Sequence, residues 1–289
     1  MADSKIKLKG HGSFVVREGW LSKAMDYVEK DNTIFREKRA ADAFGVGNNM
    51  GQAIRFWLKA TGLMSESTAR GAQLTELGKK IHKHDPYLED VFSIWLLHCN
   101  IVMNKELATS WYLFYNSCDI DELTKEEIYV QMKRELDVLT NGGEYSEKSL
   151  MDDVTAICNM YSKVKEDNYD PEDNNISPFS VLGLVQNKKQ KYSKTQPNFK
   201  TLNEKIVMYC LIKQMNNQRD ISIDDLVNKE NSVCKVLNLK RVVLNQYLDR
   251  LEEMGQIRIN RTSGLDMVYR INNDTGLDIV ENYYKNLID

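Results

Sequence analysis

The sequence is poor in the residues that usually announce chemistry. Its five cysteines, Cys99, Cys118, Cys158, Cys210 and Cys234, are odd in number, scattered and never spaced as CxxC. That pattern excludes a disulfide framework and a zinc knuckle and leaves reduced core thiols. The four histidines, His11, His82, His84 and His98, form no HExxH or other spaced ligand set, and neither a GxxxxGK(S/T) phosphate loop nor a GxSxG elbow occurs, so no standard catalytic signature is present. Long apolar runs are missing as well. Stretches such as Val91 to Leu97 are far shorter than a bilayer span, and MADSKIKLKGHG has no apolar signal core, so the expectation is a cytoplasmic chain with no membrane partner. Nor is there an excess of positive charge: a net charge of -3 argues against a protein that coats nucleic acid broadly and confines any such contact to local patches.

What is present is an ordinary soluble composition, with 42% apolar and 28% charged residues over 289 positions, enough for two domains. Gly19 to Lys30 has the helical period, and Arg36 to Phe44 gives a second, short helix. Gly45-Val46-Gly47 then reads as a tight turn, with Asn48 or Asn49 capping a third helix. On that helix Met50, Ile54, Trp57, Leu58 and Thr61 recur as a buried face, which leaves Asn49, Gln52, Arg55 and Lys59 on another. GLMSESTARGAQLTELGKKI follows as two short segments about a turn that carries Arg70. Three helices and a hairpin are the winged helix-turn-helix plan, in which the third helix enters a major groove.

From Asp85 onward the chain carries most of its aromatic residues. It predicts two core helices broken near Asn104, then amphipathic helices over Thr124 to Leu139 and Ser146 to Lys165, separated by Asn141-Gly142-Gly143. The middle is therefore a helical bundle. Composition then shifts: Glu166 to Asn175 is acidic, and Asn187 to Lys200 holds five lysines and no acid. Such tracts read as a solvated linker, and the lysines with Tyr192 among them could also track a phosphate backbone. The resulting division is a domain over 1–170, a charged linker over 171–198 and a second domain over 199–289. In the last of these, Leu244, Tyr247, Leu248, Leu251 and Met254 share one helical face, Gly255 ends the helix, and two alternating strands surround Thr262-Ser263-Gly264. This is a second winged helix. Lys240, Arg241, Asn245, Gln246 and Arg250 face away from its apolar stripe, and Arg258, Arg261 and Arg270 lie on its wing, which suits phosphate and base-edge contacts. Asp249, Glu252 and Glu253 dilute that charge, so a protein-docking winged helix is the alternative.

One cluster bears on catalysis. KKIHKHDP places His82, His84 and Asp85 together, with Glu89 and Asp90 a turn later, a set that could hold Mg or Mn for a nuclease. Helix capping by Asp85 before Pro86 is the simpler account.

Taken together, GHGSFVVREGWLSKAM, GVGNNMGQAIRFWLKATGL, LTELGKKI, DPYLEDVFSIWLLH and ATSWYLFYN resemble a bacterial family of unknown-function proteins encoded beside sulfurtransferase and phosphoadenosine-phosphosulfate-reductase-like genes of DNA phosphorothioation. The resemblance spans nearly the whole chain. It implies a component of a DNA sulfur-modification and anti-phage defence system of the single-strand type, working with sulfur-transfer and ATP-using partner proteins and nicking DNA for sulfur insertion. The family motifs at His11, Arg17, Trp20, Asn49, Arg55, Asp85, Glu89, His98 and Trp111 are all in place. Two readings stand at this point: a DNA-binding protein that presents or nicks DNA, with His82, His84, Asp85 and Glu89 as its catalytic candidates, and a docking scaffold or transcriptional regulator without catalysis.

Overall fold

The computed structural model describes residues 6–36, 39–162, 176–262 and 265–287. It is mainly α-helical with small antiparallel sheets, in two compact units that divide after Thr195.

The first unit opens with α1 (Trp20–Lys30), α2 (Arg39–Phe44) and α3 (Asn48–Ala60). Leu21, Ala24, Met25 and Val28 form the buried stripe of α1 at the helical spacing. On α3 the stripe is wider than the sequence suggests: Ala53, Ile54, Phe56, Trp57, Leu58 and Ala60 are all buried, while Met50 is only half-buried. The antiparallel strands β1 (Met64–Ser67) and β2 (Gly71–Leu74) follow, paired from Met64 with Leu74 to Ser67 with Gly71. Their position is fixed from outside the hairpin, because the Ala72 amide donates to the Asn32 carbonyl at 2.8 Å. Gly71, at φ 68°, lies so close that a Cβ there would stand 2.3 Å from the same oxygen. Thr75 then caps α4 (Glu76–His84), its hydroxyl accepting from the Gly78 amide at 3.0 Å.

A bundle of α5 (Val91–Val102), α6 (Thr109–Asn116), α7 (Lys125–Leu139) and α8 (Glu147–Ser162) completes the helical part of this unit. Every residue of α6 and nearly every residue of α5 is buried, as expected of helices apolar on all sides. Residues 163–175, which hold the acidic tract, lie outside the described residues.

Over 176–195 the chain does not form the linker expected from its lysines. A 3₁₀ turn at Pro178–Leu182 buries Phe179 and Leu182, and β3 (Val185–Lys188) pairs with β4 (Lys191–Lys194) as a hairpin of the first unit. Tyr192 is the reason. Strand alternation turns it inward beside exposed lysines, and its backbone exchanges hydrogen bonds with Leu123 at 2.7 and 3.0 Å.

The second unit runs through α9 (Glu204–Met215), β5 (Asp220–Ser222), α10 (Ile223–Asn228), α11 (Val233–Leu237), α12 (Arg241–Glu253), β6 (Ile257–Thr262), β7 (Leu265–Arg270) and α13 (Gly276–Lys285). Its sheet has the order β5-β7-β6, antiparallel throughout. Leu244, Tyr247, Leu248 and Leu251 form the buried face of α12. Met254, assigned to that face from its spacing, is 50% exposed because it is the C-cap, beyond the last helical turn. Residues 263 and 264 of the expected wing turn lie outside the described residues.

A buried polar node joins the N-terminal segment to the bundle. The Asp153 carboxylate on α8 accepts from the Lys9 amide at 3.0 and 3.1 Å, from Ser110 Oγ of α6 at 2.6 Å and from His11 Nε2 at 2.8 Å. His11 and Ser110 are buried with it. The His11 ring stacks on Trp57 at 5.6 Å and meets the edge of Trp111 at 5.4 Å. A buried acceptor with this many donors cannot be removed without orphaning all of them. Asp153→Ala is expected to cost about 3 kcal/mol or more, read as a lower urea midpoint, and a loss below about 1 kcal/mol would show that the node is not structural.

All five cysteines are buried, and burial pushes the thiols of Cys118, Cys158 and Cys234 up to about 12. Thiolate is the reactive form. The native protein at mildly alkaline pH should therefore leave these three unmodified by a thiol-specific disulfide reagent, and all five should react once the chain is unfolded in denaturant.

Candidate nucleic-acid interface

Asn49 and Gln52 are exposed on α3, and Arg55 and Lys59 follow on the same side, half-buried. The expected polar face therefore forms, but it is not free. Glu66 on β1 accepts from Arg55 Nε at 2.9 Å and from Arg55 Nη2 at 2.8 Å, and Lys59 Nζ stands 3.6 Å from the same carboxylate. Gln52 Oε1 accepts a longer bond from Arg55 Nη1 at 3.4 Å. A third cation, which the helical period does not reveal, is Lys7, whose ammonium lies 5.6 Å from the Phe56 ring centroid. Its pKa is lowered, first by burial and then by repulsion from Lys59 and Arg55. Beside the Arg55–Glu66 pair runs an open groove of about 610 Å³, lined also by Asn32, Arg36, Ser67 and Thr68. Arg70 is exposed in the turn between β1 and β2.

The C-terminal set behaves similarly. Arg241 pairs with Asp224 at 3.4 Å and lies 4.0 Å from Asp266 on β7, Arg250 pairs with Glu204 at 2.9 Å, and Arg261 pairs with Asp249. Arg250 also lies over Phe199, 5.0 Å from its ring centroid, and Phe199 stacks on Tyr247. Asn245 is half-buried, its Oδ1 shielded from solvent and without a hydrogen-bond partner. Gln246 is exposed. Lys240 and Arg258 are exposed cations whose side chains have no ion-pair partner among the described residues. Exposed ion pairs contribute about 0–1 kcal/mol each, so a phosphate, which offers the same acceptor geometry, can compete for the paired arginines.

The four catalytic candidates are not brought together. His82 is held by two carboxylates of α1, Nε2 at 2.6 Å from Asp26 and Nδ1 at 2.9 Å from Glu29. His84 ends α4, half-buried. Asp85 is buried, and its carboxylate accepts from the amides of Glu89 at 2.9 Å and Asp90 at 3.2 Å and from Ser93 Oγ. Those bonds fix the loop ahead of α5, but Asp85 does not cap a helix at Pro86 as expected: α5 starts at Val91, and Asp90 caps it by accepting from the Phe92 amide at 2.9 Å. Glu89 is exposed on a cleft of about 440 Å³ that Arg17, Glu18, Tyr87 and Val181 also line, with the Arg17 guanidinium over Trp20 at 5.3 Å. Among the described residues no three His, Cys, Asp or Glu side chains are placed to share a metal ion. The set therefore does not fit Mg or Mn, because the oxygens of Asp85 are committed to backbone and hydroxyl donors.

Of the remaining motif residues, His11 and Trp111 belong to the core around Asp153, and His98 is buried with Nδ1 2.8 Å from the Tyr161 hydroxyl. No helix among the described residues is long and apolar enough to cross a membrane.

No curated protein matches the chain. Two solved structures share its fold, a crystal structure of SspB and a magnesium ion-bound crystal structure of SspB, each with a TM-score of 0.83 and 23% identity over 97% of this chain and 88% of the other. At the level of sequence, the model of the family described as a protein of unknown function (DUF4007) matches residues 8–284, and the chain belongs to that family.

Proposed function

We propose that the protein is the DNA-binding component of a bacterial DNA phosphorothioation and anti-phage defence system, gripping DNA through a winged helix in each unit and working with sulfur-transfer and ATP-using proteins. The observation that carries this reading is a recurrence: α3 precedes the hairpin β1–β2, and α12 precedes the hairpin β6–β7. In both places a helix with one apolar face presents polar and basic side chains on another. The motif resemblance and the SspB-like fold support the assignment to such a system. The intramolecular pairing of Arg55, Arg241, Arg250 and Arg261 favours the second reading, a docking scaffold or regulator, because a neutralised face suits a protein partner as well as a phosphate.

Duplex binding separates the two. Lys240 and Arg258 offer phosphates their charge without first leaving a carboxylate, so Lys240→Ala with Arg258→Ala should weaken binding across sequences. The logarithmic salt slope should flatten by about 0.9 for each phosphate that is no longer neutralised. Unchanged affinity and slope in the folded variant would remove the C-terminal winged helix from the DNA site, and absence of binding by the unaltered chain would favour the scaffold.

Nicking is the finer part of this proposal. Of His82, His84, Asp85 and Glu89, only Glu89 is exposed on an open cleft that a cation, Arg17, also lines, so we assign it as general base for the attacking water, with Arg17 meeting the phosphodiester charge. With supercoiled plasmid, whether or not a divalent cation is added, Glu89→Gln should lose open-circle formation while keeping DNA affinity. Full nicking by that variant would clear Glu89 of any role.

A further inference from the structure

Resting on the DNA-binding reading of α3, we propose that Lys7, Arg55 and Lys59 form a cradle for the phosphates of a nucleic-acid backbone, and that the Glu66 carboxylate occupies the place of one phosphate until nucleic acid displaces it. Glu66 sits on the strand that follows α3, and its side chain is only 16% exposed, so it is held against the helix. Its two oxygens take the Nε and Nη2 donors of Arg55 in the fork geometry that a phosphate also accepts. Lys59 closes on the same carboxylate from one helical turn further along.

One carboxylate does not balance this group. Arg55 and Lys59 share a single acid, and Lys7, against the Phe56 ring of the same helix, has no ion-pair partner among the described residues. The Lys7 pKa is lowered first by burial and then by repulsion from Lys59 and Arg55, so the charge of those two side chains reaches it. A phosphodiester presents two anionic oxygens much as Glu66 does. Because a nucleic-acid backbone repeats that charge along its length, a neighbouring phosphate supplies the counter-charge that Glu66 leaves unmet at Lys7. The groove at this pair is open to solvent and lined by Arg36, Ser67 and Thr68, which gives the sugar-phosphate chain a path to the cradle. Glu66 therefore acts as an internal competitor that sets the affinity of the N-terminal unit.

The test uses the full chain and a short fluorescein-labelled DNA duplex, with anisotropy measured across a salt series. Glu66→Gln keeps the shape of the side chain and removes its charge. It should bind more tightly at low salt, and because one further phosphate is engaged, its affinity should fall about threefold more than that of the unaltered chain between about 50 and 200 mM salt. Adding Arg55→Ala to Glu66→Gln should abolish the gain, whereas Glu147→Gln, an acid on α8 paired with Lys133, should give none. Lys7→Gln touches no ion pair, so it tests the cradle even if the Glu66 variant folds poorly, and it should flatten the slope by about 0.9. Unaltered affinity and slope in both Glu66→Gln and Lys7→Gln overturn the cradle. If Lys240→Ala with Arg258→Ala still lowers the slope in that case, DNA binding stands and only the cradle fails; if no form of the chain binds DNA, both proposals fail.

Discussion

The carboxylate of Asp153 is the constraint on which the first unit depends. It is buried, and everything it accepts from is brought to it by a different piece of chain: the Lys9 amide and His11 ring from the N-terminal segment, and Ser110 from α6. A carboxylate in that position is tolerable only while those donors stay in place. Its demands therefore hold His11 against Trp57, and so set where the N-terminal segment crosses α3. Gly10 has to be glycine for the same reason, since a Cβ there would lie 2.4 Å from the Phe56 ring. Through this chain of contacts a buried acid on α8 places Lys7 beside Phe56 and near the cations of α3.

Charge on the outer faces follows a second logic. The net charge of -3 counts the acids, and the structure shows where they lie: Glu66 faces Arg55, Asp224 faces Arg241, Glu204 faces Arg250 and Asp249 faces Arg261. The three C-terminal pairs are weak because water screens them, whereas the Glu66–Arg55 fork is part-buried and held more firmly. Their joint effect is to lower the positive potential of both helix-and-hairpin elements without consuming the arginines, since a guanidinium held in a fork remains geometrically ready for another acceptor. Binding by such a face is an exchange of partners, which makes it weaker than binding by naked cations and more sensitive to how well the incoming oxygens match.

Much of the fold can be read from residue order because local chemistry and tertiary packing agree. The glycine turn before Asn48, the apolar period of α3 and α12, and the Asn141-Gly142 break all lie where their backbone preferences put them. Segment 176–195 defeats a local reading because composition there outweighs alternation: one inward tyrosine among lysines makes a strand, and its partner Leu123 is too remote in sequence for any short window. The site is legible to a lesser degree. Arg55 and Lys59 show in the helical period, but their engagement by Glu66 depends on the hairpin folding back, and Lys7 reaches the same place through the Asp153 node and the bond from its own amide to Thr109 Oγ1 at 2.9 Å. Strand alternation in MSES is the one local hint, since it puts Glu66 on the side of the buried Met64 and opposite Ser65.

Asp85 shows how a motif acid can matter without touching a substrate. Its two oxygens take the amides of Glu89 and Asp90 and the hydroxyl of Ser93, and the Leu88 amide returns to its carbonyl at 3.1 Å. To close that loop, Leu88 adopts φ 57°, a conformation that costs a non-glycine residue about 1–2 kcal/mol. The bonds to Asp85 offset it. With the backbone held from 85 to 90, Tyr87 is left 73% exposed and Glu89 opens onto the cleft that contains Arg17. The buried carboxylate therefore shapes the loop, and because its oxygens are spent on that, the exposed carboxylate of Glu89 is the one left facing the open cleft.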